Sequence, residues 1–213
     1  MKIEIVLYEG FEELDALGPF EVLAVAGLAP TLVTLDPSDQ VTGAHGAVMV
    51  PSGTLSERPD LLVVPGGGWE GRRDRGAWGE ARRGTLPRAL ALRHQAGATL
   101  AGVCTGTMLI AAAELLAGRP AVTHHRALES LAATGCNVIP SARVVDDGHI
   151  LTSAGVTAGI DLALRLVERQ LGAPAAERVA RQIEYPRQGS LHLGPNASRE
   201  PIRRADSETG SRT

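Results

Sequence analysis

Two side chains in this chain are candidates for covalent chemistry, the cysteines Cys104 and Cys136. Only Cys104 has a context that prepares it. An apolar run, Thr99–Val103, leads into it, and an almost uncharged, alanine-rich run, Thr105–Leu116, leads away. Gly102-Val103-Cys104-Thr105-Gly106 has the form G-x-nucleophile-x-G, with sulfur in place of a serine hydroxyl. Glycines two before and two after let a strand turn sharply into a helix without a side-chain clash. The start of that helix would point positive partial charge at the sulfur, so a lowered pKa and a reactive thiolate are expected. Cys136 follows Thr134-Gly135 near a weak strand and reads as a buried structural thiol.

A nucleophile needs partners. Pro65-Gly66-Gly67-Gly68 ends the apolar run Leu61–Val64, and a glycine-rich turn there would expose backbone N–H groups. Paired with the N–H of Thr105, one of them would stabilise negative charge on a substrate atom. The turn lacks the lysine of a phosphate-binding loop. Glu12, Glu13 and Asp15 follow the first strand. Acids suit a helix start, and Asp15, between Leu14 and Ala16, is the least solvated position of the three. A carboxyl held near a thiolate would have a raised pKa and could donate a proton to sulfur or handle a water. Thr123-His124-His125 follows the strand-like Ala121-Val122, so His124 or His125 is a candidate for the cleft wall. None of the six histidines shows a metal-ligand spacing, so no metal is expected.

Strands and helices must alternate to bring these segments together. Strand signals fall at Ile3–Tyr8, Thr31–Leu35, more weakly at Met49-Val50 with the stretch before it, and at Leu61–Val64 and Thr99–Val103. Asp146-Asp147-Gly148-His149 marks a hairpin between Val144-Val145 and Ile150–Thr152. Helical spacing covers Leu14–Ala26, with Pro19 tolerable only in a first turn. It also covers Thr85–Gln95, Thr105–Leu116, Ala127–Ala133, Thr157–Leu171 and Pro174–Tyr185. The alternation predicts an α/β fold, a doubly wound, mostly parallel sheet with helices on both faces. Ligands of such sheets sit beyond the carboxyl ends of the strands, where Asp15, Gly66, Gly67 and Cys104 all fall. The arginine-rich stretch 70–83 reads as a solvated loop. Residues 1–186 form one domain, and the polar, charged residues 187–213 read as a flexible tail.

Composition narrows the function classes. The 213 residues carry a formal net charge of −3, which argues against nucleic-acid and anionic-membrane partners. Aromatic residues are 3% of the chain, too few for a base-stacking platform. Two cysteines exclude a disulfide-rich scaffold, and no secretory signal or spanning segment is visible, so a cytoplasmic protein is expected.

Together the residues resemble a family. G-F-E-E-L-D, L-V-V-P-G-G-G and A-G-V-C-T-G-T-M-L-I-A-A-A are similar to segments of the ThiJ/PfpI superfamily, related to class I glutamine amidotransferases. L-D-A-L-G-P-F-E-V-L and T-S-A-G-V-T-A-G-I-D-L-A-L-R-L-V-E-R look like the branch with isonitrile hydratases and the ligand-side domains of certain AraC-type regulators. The resemblance covers residues 3–186. It implies a flavodoxin-like fold, a homodimer and no cofactor. It also implies that Cys104 is the nucleophile, Asp15 the carboxylate beside it, and Thr105 a site residue. Backbone N–H groups of Thr105 and Gly67, with Gly66 as the alternative, would form the anion pocket. Thr105 stands where protease-like members carry His, and Asp15 where deglycase-like members carry Glu. A complete regulator would add a helix-turn-helix domain, which this chain is not expected to have. The expected activity is hydration of a small isonitrile to an N-substituted formamide through a Cys104 thioimidate, Asp15 supplying a proton and positioning water. The alternatives are a glyoxalase or deglycase acting on 2-oxoaldehydes and a non-catalytic redox or ligand sensor.

Overall fold

The computed structural model describes residues 1–198 and 201–202. In chain order, β1 (Ile3–Leu7) leads to α1 (Glu13–Val25) and β2 (Thr31–Thr34), then to three two-residue strands, β3 (Val41–Thr42), β4 (Val48–Met49) and β5 (Gly53–Thr54). Next come β6 (Leu61–Val64), α2 (Ala77–Arg83), α3 (Thr85–Gln95), β7 (Thr99–Gly102) and α4 (Gly106–Ala112). β8 (Pro120–Ala121) precedes a 3-10 turn at His125–Ala127, α5 (Leu128–Ala132) and β9 (Asn137–Val138). The chain continues through β10 (Val144–Asp146), β11 (Ile150–Ser153), α6 (Ala158–Leu171), α7 (Ala173–Gln182) and β12 (Leu191–Leu193).

The main sheet has the order β12-β10-β11-β7-β6-β1-β2-β5. Its pairings are parallel except for the β10–β11 hairpin. α1, α6 and α7 pack on one another as one helix layer, and α2, α3 and α4 as another. β1, β6, β7 and β11 are buried at every residue. Covered on both faces, such strands have no solvent side to alternate toward, which is why they read as continuous apolar runs. The doubly wound, mostly parallel architecture expected from the alternation is therefore the one observed. No helix among the described residues is long and apolar enough to cross a membrane.

Four local expectations need correction. Pro19 lies in the middle of α1, not in its first turn. Its ring packs where α6 comes close: a Cβ on Gly159 would sit 3.4 Å from the ring, and one on Gly18 3.2 Å from Ile160. Tertiary packing offsets the hydrogen bond that proline cannot make. The weak strand expected around Met49-Val50 and the stretch before it forms, at Val48–Met49, but it pairs antiparallel with β3 outside the main sheet rather than joining the parallel one. The stretch 70–83 is not all loop, since Ala77–Arg83 is α2, anchored by the buried Ala77 and Gly79.

The fourth concerns the segment read as a tail from residue 187. Residues 191–193 form β12, paired in parallel with β10. Leu191 and Leu193 are 41% and 51% exposed. Ladder hydrogen bonds at a sheet edge hold the strand, and hydropathy carries no signal for that. Asn196 donates from its backbone N–H and its Nδ2 to Asp147. Ile202 is buried, and its N–H donates to Gln170 Oε1 at 3.0 Å. The rest of that expectation, on residues 199–200 and 203–213, lies outside the described residues.

Candidate active site

Cys104 occupies the bend between β7 and α4 with φ +55°, a left-handed conformation that is unusual for a residue with a side chain. The flanking glycines do what the motif predicts. A Cβ on Gly102 would meet the Thr107 backbone at 3.0 Å, and one on Gly106 would strike the Val64 carbonyl. The bend is tied on three sides. Cys104 N–H donates to Ala154 O at 3.2 Å, Val103 N–H to Val64 O at 3.0 Å, and Thr123 Oγ1 to Cys104 O at 2.8 Å. The backbone N–H groups of Val156 and Thr105 point at the sulfur.

Asp15, in the first turn of α1, is fully buried and next to the Cys104 thiol. Its Oδ2 accepts from Gly66 N–H at 2.9 Å, while Oδ1 is enclosed and has no hydrogen-bond partner of good geometry. Gly67 N–H donates to Thr105 Oγ1 at 2.9 Å. Gly66 O accepts from Glu12 N–H at 2.7 Å, and Pro65 O accepts from the Tyr8 hydroxyl at 2.7 Å. This corrects the expected anion pocket. Gly66 and Gly67 do not hold out free N–H groups to a substrate. Their turn clamps Asp15, Thr105 and the start of α1. It can do so only as glycine, since a Cβ on Gly66 would lie 2.5 Å from Thr105 N and Oγ1. The sulfur's own donors are Thr105, whose N–H was expected to face a substrate atom instead, and Val156, which the sequence reading missed. A backbone N–H leaves no mark in residue type.

The ionisation of the thiol also departs from expectation. Burial, and then the neighbouring Asp15 carboxylate, push the Cys104 thiol well above its ordinary range, and the Val156 and Thr105 N–H groups only partly oppose them. The start of a seven-residue helix is too weak a field to reverse burial. Asp15 moves in the expected direction but not through a thiolate: burial pushes its carboxyl up to about 8, the Gly66 hydrogen bond and the Cys104 thiol working against the shift and the Glu12 charge with it. At neutral pH the pair therefore holds both protons, a thiol beside a carboxylic acid. Burial and the charges of Asp15, Glu80 and Cys104 hold Tyr8 well above its ordinary value, so it remains a neutral donor.

A cavity of about 600 Å³ opens over the sulfur. Thr105, Gly67 and Val156 form its floor, with His124 and Trp69 on its walls and Glu12, His45, Glu70 and Arg126 around its mouth. His124 therefore reaches the cleft. Its Nδ1 accepts from Arg126 N–H at 3.3 Å, which leaves Nε2 to carry the proton of the neutral ring. Burial, His125 and Arg126 lower its pKa, so it stays neutral. His125 stacks on it at 4.3 Å but does not line this cavity. Cys136 is buried and its Sγ donates to Arg119 O at 3.2 Å, a structural contact. Among the described residues, Glu12, Glu13 and His45 bring metal-ligand atoms within 4.8 Å of one another. Those atoms already serve the fold. Glu12 Oε2 meets His45 Nε2 at 3.2 Å, and Glu13 Oε1 accepts from the N–H groups of His45 and Ala47.

Comparison with known proteins gives a consistent picture. The model of the DJ-1/PfpI family matches residues 1–169. The chain is 34% identical over 191 residues to the isonitrile hydratase of Pseudomonas putida, covering 87% of this chain and 78% of that protein. It is 26% identical over 180 residues to the Parkinson disease protein 7 homolog of Danio rerio, covering 82% and 92%. The crystal structure of a ThiJ/PfpI family protein from Pseudomonas syringae superposes with a TM-score of 0.76 at 29% identity, over 87% of this chain and 75% of that one.

Proposed function

The chain belongs to the DJ-1/PfpI family, and from that premise we propose that it is a cofactor-independent enzyme that hydrates a small isonitrile to an N-substituted formamide. One observation carries the reading: the Cys104 thiol lines a cavity of about 600 Å³, and the fully buried Asp15 carboxyl, which burial inclines to keep its proton, lies beside that thiol. The likeness to an isonitrile hydratase supports it.

Thiol addition to R–N≡C needs a proton on the terminal carbon as the sulfur bonds to it. Asp15 gives its proton to that carbon and receives the thiol proton as the S–C bond forms. The product is the thioimidate R–N=CH–S, and no net charge appears in the buried site. Water then adds to the same carbon. One water proton goes to nitrogen, and the C–S bond breaks as the hydroxyl proton returns to sulfur through Asp15. The net change is R–N≡C plus water to R–NH–CHO. Each half is easier than direct hydration, the usual gain from a covalent intermediate. The Val156 and Thr105 N–H groups stabilise negative charge that develops on sulfur during attack and departure.

The test is direct. Cyclohexyl isocyanide and methylglyoxal are incubated separately with the wild type, Cys104→Ala and Asp15→Ala. N-cyclohexylformamide from the wild type alone is expected. Lactate from methylglyoxal, with no formamide, would replace this reading with the glyoxalase one.

A further inference from the structure

The chain has only two tryptophans; Trp78 lies in the arginine-rich stretch 70–83 and Trp69 immediately precedes it. Trp69 lines the Cys104 cavity. It is partly buried, packs on the hydrophobic core and meets Trp78 edge-on, with ring centroids 5.2 Å apart. The Arg72 guanidinium caps the Trp78 ring at 5.2 Å. The loop beneath is closed by its own backbone: Arg72 N–H donates to Trp69 O, Arg73 N–H to Gly68 O, Ala77 N–H to Gly67 O and Gly79 N–H to Arg73 O. The indole is thus a preformed wall, and a ligand that packs on it does not have to order it first. Around the mouth, polar side chains pair with each other. Arg126 meets Glu70 at 2.7 Å, and His45 meets Glu12 at 3.2 Å. An uncharged apolar ligand leaves those pairs intact and gains the indole face, whereas an anionic one would gain the exposed Arg73 guanidinium, which also lines the cavity.

We propose that Trp69 is the specificity-determining residue of this pocket, selecting substrates whose reactive group is attached to an uncharged apolar or aromatic body. The proposal rests on the hydratase reading and deepens it by naming the substrate class. Trp69 grips the body through ring-face packing, and Cys104 and Asp15 act on the small reactive end.

The test separates the two ideas by using formamides, which bind without turnover. Affinities for N-(2-phenylethyl)formamide and for N-formylphenylalanine, the same body bearing a carboxylate, are measured by calorimetry on the wild type, Trp69→Phe and Trp69→Ala. The neutral formamide is expected to bind the wild type more tightly than the carboxylate does. It should weaken about tenfold in Trp69→Ala and no more than about threefold in Trp69→Phe, which keeps an aromatic wall. In parallel, kcat/KM for 2-phenylethyl isonitrile is compared with that for methyl isonitrile, and their ratio should fall about tenfold in Trp69→Ala. Absence of binding by the wild type, equal affinity in Trp69→Ala, or tighter binding of the carboxylate would overturn the proposal. Binding that depends on Trp69 with no turnover of either isonitrile would uphold the wall and reject the hydratase reading.

Discussion

Asp15 and Asp146 are equally shut off from solvent, yet they are held in opposite ways. Asp146 lies at the end of β10, between two cations of α6. Arg165 Nε donates to its Oδ2 at 2.9 Å, Arg169 to its Oδ1 at 3.3 Å, and Gly148 N–H caps it at 3.0 Å. Asp15 has no cation. It has one backbone donor, an enclosed oxygen without a partner, and a thiol as neighbour. A buried carboxylate that is fully paired ties elements together. One left unpaired keeps its proton in reserve, at a cost to the fold, and that proton is available for chemistry.

The comparison can be broken most decisively at the thiol and its acid. Cys104→Ala should abolish turnover of cyclohexyl isocyanide while changing stability little, and Asp15→Asn should lower kcat by roughly 10²–10⁴-fold, the usual worth of a positioned acid. Steady-state assays with matched denaturation curves check both. Asp146→Ala should do the reverse. It takes the shared carboxylate from two largely buried arginines and leaves them Glu168 and the Gly148 carbonyl as acceptors, so unfolding in urea should show a loss of roughly 3 kcal/mol, with kcat of the folded fraction unchanged.

The two aspartates should also differ in their pH response. Folded Asp15 titrates near 8, against an ordinary value of 3.8. Between those values the folded chain holds a proton that the unfolded chain has released. Stability therefore falls as pH rises through that window and levels off above it. Asp15→Asn should remove that cost. It should match the wild type below pH 4 and exceed it by about 1 kcal/mol or more at pH 9, as read from denaturation at several pH values. By the same titration, wild-type turnover should decline as pH rises through about 8. The smallest effect concerns the clamp. Tyr8→Phe leaves the Pro65 carbonyl without its donor and should cost about 1–3 kcal/mol of stability, with a few-fold loss of kcat.

Where the fold rests on apolar burial, it was legible in the residues. Continuous runs marked β1, β6 and β7, and helical spacing placed Thr85–Gln95 at the bounds observed for α3. The bend at Cys104 was legible because glycines are the only residues that fit beside it. Asp15 was legible as the acid with apolar neighbours. What hydropathy could not carry was decided by backbone groups or by packing between distant segments. β12 is held by ladder bonds, and the Val156 N–H that faces the sulfur has no side-chain signature. The clamp role of Gly66 and Gly67 depends on Thr105 and Asp15 arriving from two different helices. The thiol's ionisation is not legible in a local feature such as the helix start, because the burial around the sulfur, set by distant segments, outweighs it.

The loop from Trp69 to Gly76 closes on its own backbone at Trp69, but the residues at its base reach back to the glycine turn, Arg73 N–H to Gly68 O and Ala77 N–H to Gly67 O. That turn is also the one that grips Asp15 and Thr105. An engineer wishing to retune what enters this cavity can therefore vary the exposed side chains of the loop freely, but must keep its backbone anchorage, because the same glycines seat the catalytic hardware.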